Sequence, residues 1–340
     1  MMHFPIAISL LTAHRQQTYT LFMATETIPI IYQDHHLLVV NKPAGLVVHP
    51  TYKHADGTMW DALLVQVAQQ GSDCWQPPEL PDEPEWVSAP LHIQEMLRAR
   101  RTERQWKEDG LLPRPCLLHR LDKDTSGVVA LARTEGSRRH LVRQFLEHSV
   151  VKRYLAVVQR GAPGWSYPRT RLTVTKRENG KDEVLTNIPP SLQYNGEFIL
   201  DGPLQRDPAD RRRCIVGPDG QVATTVLKVL AVSEGEQFVL LEVRPVTGRT
   251  HQIRAHLAAL GYAIVGDQVY APPAEQGTPQ AQLMRQFLHA HSLELQRYPD
   301  NSLCTFVAPL AGDLISWMKC YFPRGLGVID ASSQTRTVHA

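Results

Sequence analysis

The segment His119-Arg120-Leu121-Asp122-Lys123-Asp124-Thr125-Ser126-Gly127, followed at once by Val128-Val129-Ala130-Leu131-Ala132, decides how the chain is read. A polar turn ending in Gly feeds an unbroken run of small and β-branched apolar residues, the pattern of a buried strand. Cys116 to Leu118 reads as a strand arriving on the other side of the turn. An acidic side chain on a loop between two such strands sits where a rigid scaffold commonly holds functional groups. Arg120 and Lys123 put positive charge beside Asp122. Taken locally, the same residues also fit an ordinary Asp turn with surface cations.

Upstream, Ile28 to Tyr32 and Leu37 to Asn41 predict two short strands, and Lys42-Pro43-Ala44-Gly45 stops regular structure. Thr58 is a cap for a helix through Ala62, Leu63, Val65 and Val67 that ends near Gly71. Downstream, Thr134 caps a helix with the stripe Leu141, Val142, Phe145 and Leu146, and Tyr154 to Val158 is another strand. Residues 160–221 predict irregular excursions with short strands. Val222 to Val232 pairs with Phe238 to Val243, and a helix from His251 to Leu260 stops at Gly261 in a left-handed cap. Leu288 to Leu295 and Leu303 to Val307 form a last hairpin before a helix from Leu314 to Tyr321. Strands outnumber helices and most neighbours are joined by hairpin-length turns. The fold class is therefore α+β, a mixed, mainly antiparallel β-sheet with flanking helices.

With 43% hydrophobic and 21% charged residues in 340, the chain reads as a soluble globular protein. Residues 28–322 are expected to form one domain, preceded over 1–27 by a disordered leader or misassigned start and followed over 323–340 by a flexible tail. The early apolar run from Ile6 to Leu11 is too short to cross a bilayer, so no membrane association is expected. Five prolines between Pro77 and Pro90, with a basic helical stretch after them, mark about 71–115 as an insertion. The five scattered cysteines lack any Cys-x-x-Cys pair, which argues against structural zinc and for the cytoplasm. A net charge of +2 says nothing about nucleic acid, but Arg98 to Arg104, Arg138-Arg139 and Arg211-Arg212-Arg213 are local basic clusters.

A second segment, Arg244-Pro245-Val246-Thr247-Gly248-Arg249-Thr250-His251-Gln252-Ile253-Arg254-Ala255-His256-Leu257, turns from strand to helix with Arg249, His251 and Arg254 clustered at the bend. That density of donors at a helix start suits an anion. His251 and His256 are five apart and do not share a helix face, so they make a poor metal site.

Together these segments resemble the RluA-type pseudouridine synthases. His119 to Gly127 is similar to their catalytic signature and Thr247 to Leu257 to their second one. Lys152-Arg153-Tyr154-Leu155-Ala156 resembles the strand with the active-site tyrosine. Asn41 to Pro50, Val265-Gly266-Asp267-Gln268-Val269-Tyr270 and Leu288 to Leu293 also fit, in the family's order, so the likeness runs with gaps from about residue 28 to 322. The resemblance implies the pseudouridine synthase fold, no cofactor or metal, and a monomer acting on ribosomal or transfer RNA. It makes Asp122, Tyr154 and Arg254 catalytic and gives Arg120, His119, Arg249 and His251 to substrate binding.

The implied reaction breaks the ribose bond to uracil N1, turns the base and rejoins it through C5. A paired uracil must first be flipped out, at a cost of roughly a few kcal/mol. Arg120 would fill the gap and Tyr154 would wall the base. Asp122 would trap the sugar covalently or act on its C2′ proton, two routes the sequence leaves open. Arg254 would hold that carboxylate in one plane, and Tyr154 could take the C5 proton directly or through water. A silent RNA-binding protein on the same fold is the alternative, and the arginines at 98–104 are candidate RNA contacts. A zinc deaminase lacks support because its His-x-Glu and Pro-Cys-x-x-Cys elements are absent.

Overall fold

The computed structural model describes residues 27–50, 56–68, 110–160, 172–185, 196–271, 278–323 and 325–334. Most of the expected leader and most of the 71–115 insertion, including the 98–104 arginines, lie outside these described residues. In chain order the elements begin with β1 (Ile30–Gln33), β2 (Leu37–Lys42), α1 (Met59–Ala68), β3 (Leu111–Leu117), β4 (Ser126–Thr134), α2 (Glu135–Leu146) and β5 (Val151–Arg160). There follow β6 (Thr173–Glu178), β7 (Lys181–Val184), β8 (Glu197–Asp201), β9 (Leu204–Arg206), β10 (Cys214–Val216), β11 (Thr224–Val232) and β12 (Phe238–Pro245). Last come α3 (Gln252–Leu260), β13 (Tyr262–Ile264), β14 (Leu288–Gln296), β15 (Leu303–Val307), α4 (Gly312–Tyr321) and α5 (Gly325–Gln334).

Thirteen of the strands form one sheet along the path β1-β2-β4-β14-β5-β12-β11-β8-β6-β7, with β3 on β4, β13 on β5 and β15 on β14. The expected mixed, mainly antiparallel α+β fold is what is found. Among the described strands, β4 and β14 form the parallel pair, through Ser126 with His289 and Gly127 with Ala290. That short joint unites a half built on β2 and β4 with a half built on β5, β11 and β12.

The unbroken apolar run of β4 follows from burial on both faces. Val129 and Leu131 join Leu38, Val40 and, from α1, Met59 and Leu63. Val128, Ala130 and Ala132 join Leu37, Val39 and Leu141 of α2 on the opposite side. Alternate residues thus serve two cores, as the period of a strand requires. Each fully buried leucine there contributes roughly 1.5–3 kcal/mol. The larger core lies under β5, β11 and β12 and is closed by α3, α4 and α5.

Local signals explain the element boundaries. Thr134 caps α2 by accepting from the Ser137 amide at 3.3 Å. Gly261 ends α3 at φ 89. The stripe of α2 departs from expectation: Leu146 is 75% exposed, and buried Gln144 bonds both backbone groups of Gln296 instead. Positions 141, 144 and 145 share one helical face, and 146 lies off it. Strand β3 starts at Leu111 rather than Cys116, with an irregularity where Pro113 and Pro115 cannot donate to the ladder. The expected flexible tail also needs correction, because 325–334 form α5. Leu326 and Ile329, three apart, turn one face of that helix onto the large core.

Gly127 carries the joint: its φ is +120, and a Cβ there would lie 2.2 Å from the Ala290 carbonyl oxygen. Gly127→Ala should therefore cost about 3 kcal/mol or more in urea unfolding. Gly57→Ala, with φ +67 but nothing within 4 Å, should show only the conformational cost of about 1 kcal/mol. Equal losses at the two positions would remove the packing role given to Gly127.

Candidate active site

The turn between β3 and β4 is fastened from below by a buried cation. Lys42, fully buried at the end of β2, donates from Nζ to the carbonyls of Pro43 and Leu46 at 2.8 Å and of Lys123 at 2.9 Å. The Gly45 amide donates to the same Lys123 oxygen, and the Thr125 amide closes the turn on the Asp122 carbonyl at 3.1 Å. Burial draws the Lys42 ammonium down to about 7, opposed by Asp124 and then Asp122 and assisted by Arg285. Asp122, the neighbour of the clamped residue, is left with a carboxylate 22% exposed.

Arg254 reaches that carboxylate from α3. Its Nη1 donates to Asp122 Oδ2 at 3.0 Å, while Nε and Nη2 donate to the two oxygens of Asp267 at 2.7 and 2.9 Å. Asp267 is itself fully buried and accepts from the Val269 and Tyr270 amides. A guanidinium gripped in a fork on one side has little rotational freedom left for the other. Burial works against the charge on Arg254, but the hydrogen bonds and charge of Asp267, with Asp122, more than offset it and its pKa is raised. Tyr270 lies under the guanidinium, 5.1 Å from its ring centre, and anchors both backbone groups of Cys214. The role of Asp267 was hidden in the sequence, although its motif was visible there, because only the packing of α3 brings it to Arg254.

Tyr154 and Lys152 are two apart on β5, and both side chains line the same cleft as Asp122 and Arg254. The cleft measures about 390 Å³, within the usual range of a small-ligand site. Burial, and then the charge of Asp122, pushes the Tyr154 phenol well above its ordinary pKa. Arg120 is exposed on the wall. Arg249, also exposed, bends back to donate from Nε to the Val222 carbonyl at 3.2 Å. His251 opens α3 in a left-handed conformation, φ 55, with Nε2 3.8 Å from Asp122 Oδ2. Burial draws its pKa below the histidine value, against the pull of Asp122.

His119 also lines the cleft, but its Nε2 accepts the Ala130 amide and its ring stacks on Phe145 at 5.1 Å. Loss of solvent, then Lys152, draws its pKa to about 3, so it is a neutral acceptor fixing the turn to β4. His256 is turned away, bonded to Thr225 Oγ1 and the Gly202 carbonyl at 2.9 Å each. The donors at the start of α3 are partly taken: Gln252 Oε1 accepts from the Arg249 amide and the Thr247 hydroxyl. Among the residues expected at the site, Asp122, Tyr154, Arg254, Arg120, His119, Arg249 and His251 all border one cleft. Lys152 is the cation that the sequence reading named in a motif without assigning it any role. Its spacing of two from Tyr154 on a strand was the available signal.

A carboxylate held by arginine, facing an aromatic ring in a cleft, can meet positive charge developing on a bound ligand or attack it. Residues 36–259 match the family model described as RNA pseudouridylate synthase. Ribosomal large subunit pseudouridine synthase D of Zymomonas mobilis is 30% identical over 78% of this chain and 63% of its own length. The chain thus spans less than two thirds of that relative. The protein of the same name from Xanthomonas campestris is 33% identical over 86% of this chain and 69% of its own. Human RNA pseudouridylate synthase domain containing 1 aligns structurally over 87% of this chain and 88% of its own, at 22% identity and a TM-score of 0.49.

Two predictions concern the buried charges. Asp267→Asn leaves Arg254 half-paired and should cost about 3–5 kcal/mol in urea unfolding, part of it recovered in the double variant with Arg254→Met. Full additivity of the two losses would mean that the pair is not coupled. For Lys42, the unfolded chain keeps its proton up to about 10.4 while the folded protein releases it near 7. The unfolded state binds more protons in that window, so stability should rise with pH between those values, by up to about 1.4 kcal/mol per unit. Unfolding curves at pH 7, 8 and 9 should show this slope reduced in Lys42→Met.

Proposed function

This chain belongs to the RNA pseudouridylate synthase family, and we propose that it isomerises specific uridines of RNA to pseudouridine. The observation that carries the proposal is the 3.0 Å pair between Asp122 and Arg254, residues 132 positions apart, in one cleft with Tyr154. A passive binder has no need of a carboxylate so held. The names of the relatives point to large-subunit ribosomal RNA, with transfer RNA the other candidate substrate. A site formed wholly within one chain agrees with action as a monomer, and ribosomal RNA as substrate agrees with the cytoplasm.

In this reading the target uridine leaves its stack and enters the cleft, and Arg120 takes the vacated position. Breaking the N1 bond builds positive charge on the sugar, which the Asp122 carboxylate stabilises or traps. Both routes for Asp122 remain compatible with its geometry. Arg254, itself fixed by Asp267, pairs with the carboxylate and aims it. A phenol pushed upward in pKa stays protonated near neutrality. Tyr154 therefore serves as an aromatic wall and hydrogen-bond donor in the resting site, and the C5 proton leaves through water. His251 and Arg249 contact the substrate at the start of α3, and His119 supports the turn from behind.

Asp122→Asn keeps the size of the side chain and removes its charge. It should abolish pseudouridine formation, mapped across cellular RNA with wild-type or variant protein, while RNA affinity stays within a few-fold. Wild-type turnover in the variant would sink the mechanism. A wild-type protein that binds RNA but changes no uridine would favour the silent RNA-binding alternative.

A further inference from the structure

Along β5, successive side chains leave opposite faces of the sheet. Arg153 points away from the cleft and is matched by Glu294 at 3.4 Å. Lys152 enters the cleft, and among the described residues no carboxylate lies within ion-pair distance of its ammonium. Its position is nonetheless well defined. A Cβ on Gly248 would lie 3.9 Å from Lys152 Nζ, so the ammonium crosses the cleft to the bend before α3. On the near side its charge helps to keep His119 neutral. Desolvation lowers the pKa of Lys152, and no nearby acid raises it.

An ammonium that has lost water without gaining an anion is an unfinished interaction. The other charged groups at the centre of the cleft do not finish it. Asp122 and Asp267 are both engaged by Arg254, and neither carboxylate lies within ion-pair distance of Lys152. A neutral acceptor such as a base carbonyl would offer a hydrogen bond but no charge. A phosphodiester offers both, and lysine commonly meets phosphate as a compact point charge.

We propose that Lys152 is a phosphate-binding residue of this cleft, its ammonium taking a non-bridging oxygen of the RNA backbone beside the target uridine. The proposal rests on the pseudouridine synthase reading. The open side of Gly248 leaves the strand room to approach, and the negative charge of the phosphate balances the lysine as the RNA enters.

The test uses the full chain with a short stem-loop RNA carrying a uridine that mapping identifies as modified. Lys152→Gln should weaken binding about tenfold, raise KM more than it lowers kcat, and reduce the salt slope of log affinity by roughly 0.7–0.9. Lys152→Arg should restore most of the affinity and the slope. A methylphosphonate beside the target uridine should weaken binding to the wild type and have little further effect on Lys152→Gln. An unchanged salt slope overturns the assignment, as does an equal methylphosphonate penalty in both proteins. Should Lys152→Gln fail to fold, a methylphosphonate scan on the wild type decides alone, since tolerance at every flanking phosphate also overturns it. Failure of the parent reading is separate: it appears as wild-type protein that binds RNA without making pseudouridine, whatever the salt slope.

Discussion

Two residue pairs, Ser126 with His289 and Gly127 with Ala290, hold the halves of the sheet together. Because Gly127 has no side chain, the two backbones meet closely enough for a parallel step between strands from opposite ends of the domain. The fastening continues in side chains. Ser126 Oγ donates to His289 Nδ1 at 2.9 Å, and Gln286 Nε2 donates to Thr125 Oγ1 at 3.2 Å. Desolvation draws the His289 pKa to about 3, so the ring is neutral and can accept at one nitrogen while its other nitrogen faces the Ala308 carbonyl. Asp122 stands on the clamped turn just before this joint and Tyr154 on the next strand over, so their separation is set by the sheet together with the Lys42 clamp.

The charges around Asp122 form a layered support. Lys42 grips the turn through carbonyl oxygens alone, which fixes the backbone and leaves the carboxylate free for Arg254. Asp267 in turn fixes Arg254 from a fully buried position. Arg285 extends the pattern, pairing with Asp313 and donating to the Asp124 carbonyl at 3.2 Å. Each of these groups would be costly alone in the interior, and each is satisfied by a partner from a distant segment.

Much of this was legible in the sequence because it is local. The apolar run Val128 to Ala132, the Thr134 cap and Gly261 each announce structure within a few residues, and each was found as read. The three residues expected to be catalytic border one cleft for a related reason: each sits in its own short motif. What was not legible depends on packing between segments. Lys42 after a strand looks like a surface lysine until its three carbonyl partners are seen. Leu146 looked apolar enough for the core, but it sits a third of a turn beyond the buried face. Helix α5 escaped notice because Leu326 and Ile329 are too few to make a periodic signal. His119 illustrates the mixed case, a motif residue whose Nε2 is occupied by the Ala130 amide.

The position of β14 has a consequence for how the protein is made. Strands β4 and β5 are neighbours along the chain, separated only by α2, yet β14 lies between them in the sheet. As the chain emerges in order from its N-terminus, β3 and β13 can cover one end of each facing edge. Ser126 and Gly127 of β4 and residues 151–156 of β5 have no partner on those edges until Leu288 to Gln296 has been synthesised and inserted. Closing contacts so remote in sequence is slow, because chain entropy is lost before the pairing is gained. Leu288, at the start of that late strand, is part of the cleft lining. Assembly of the cleft is thereby coupled to near-completion of the domain, and an unfinished chain cannot hold Asp122 and Tyr154 at the separation they have in the finished sheet.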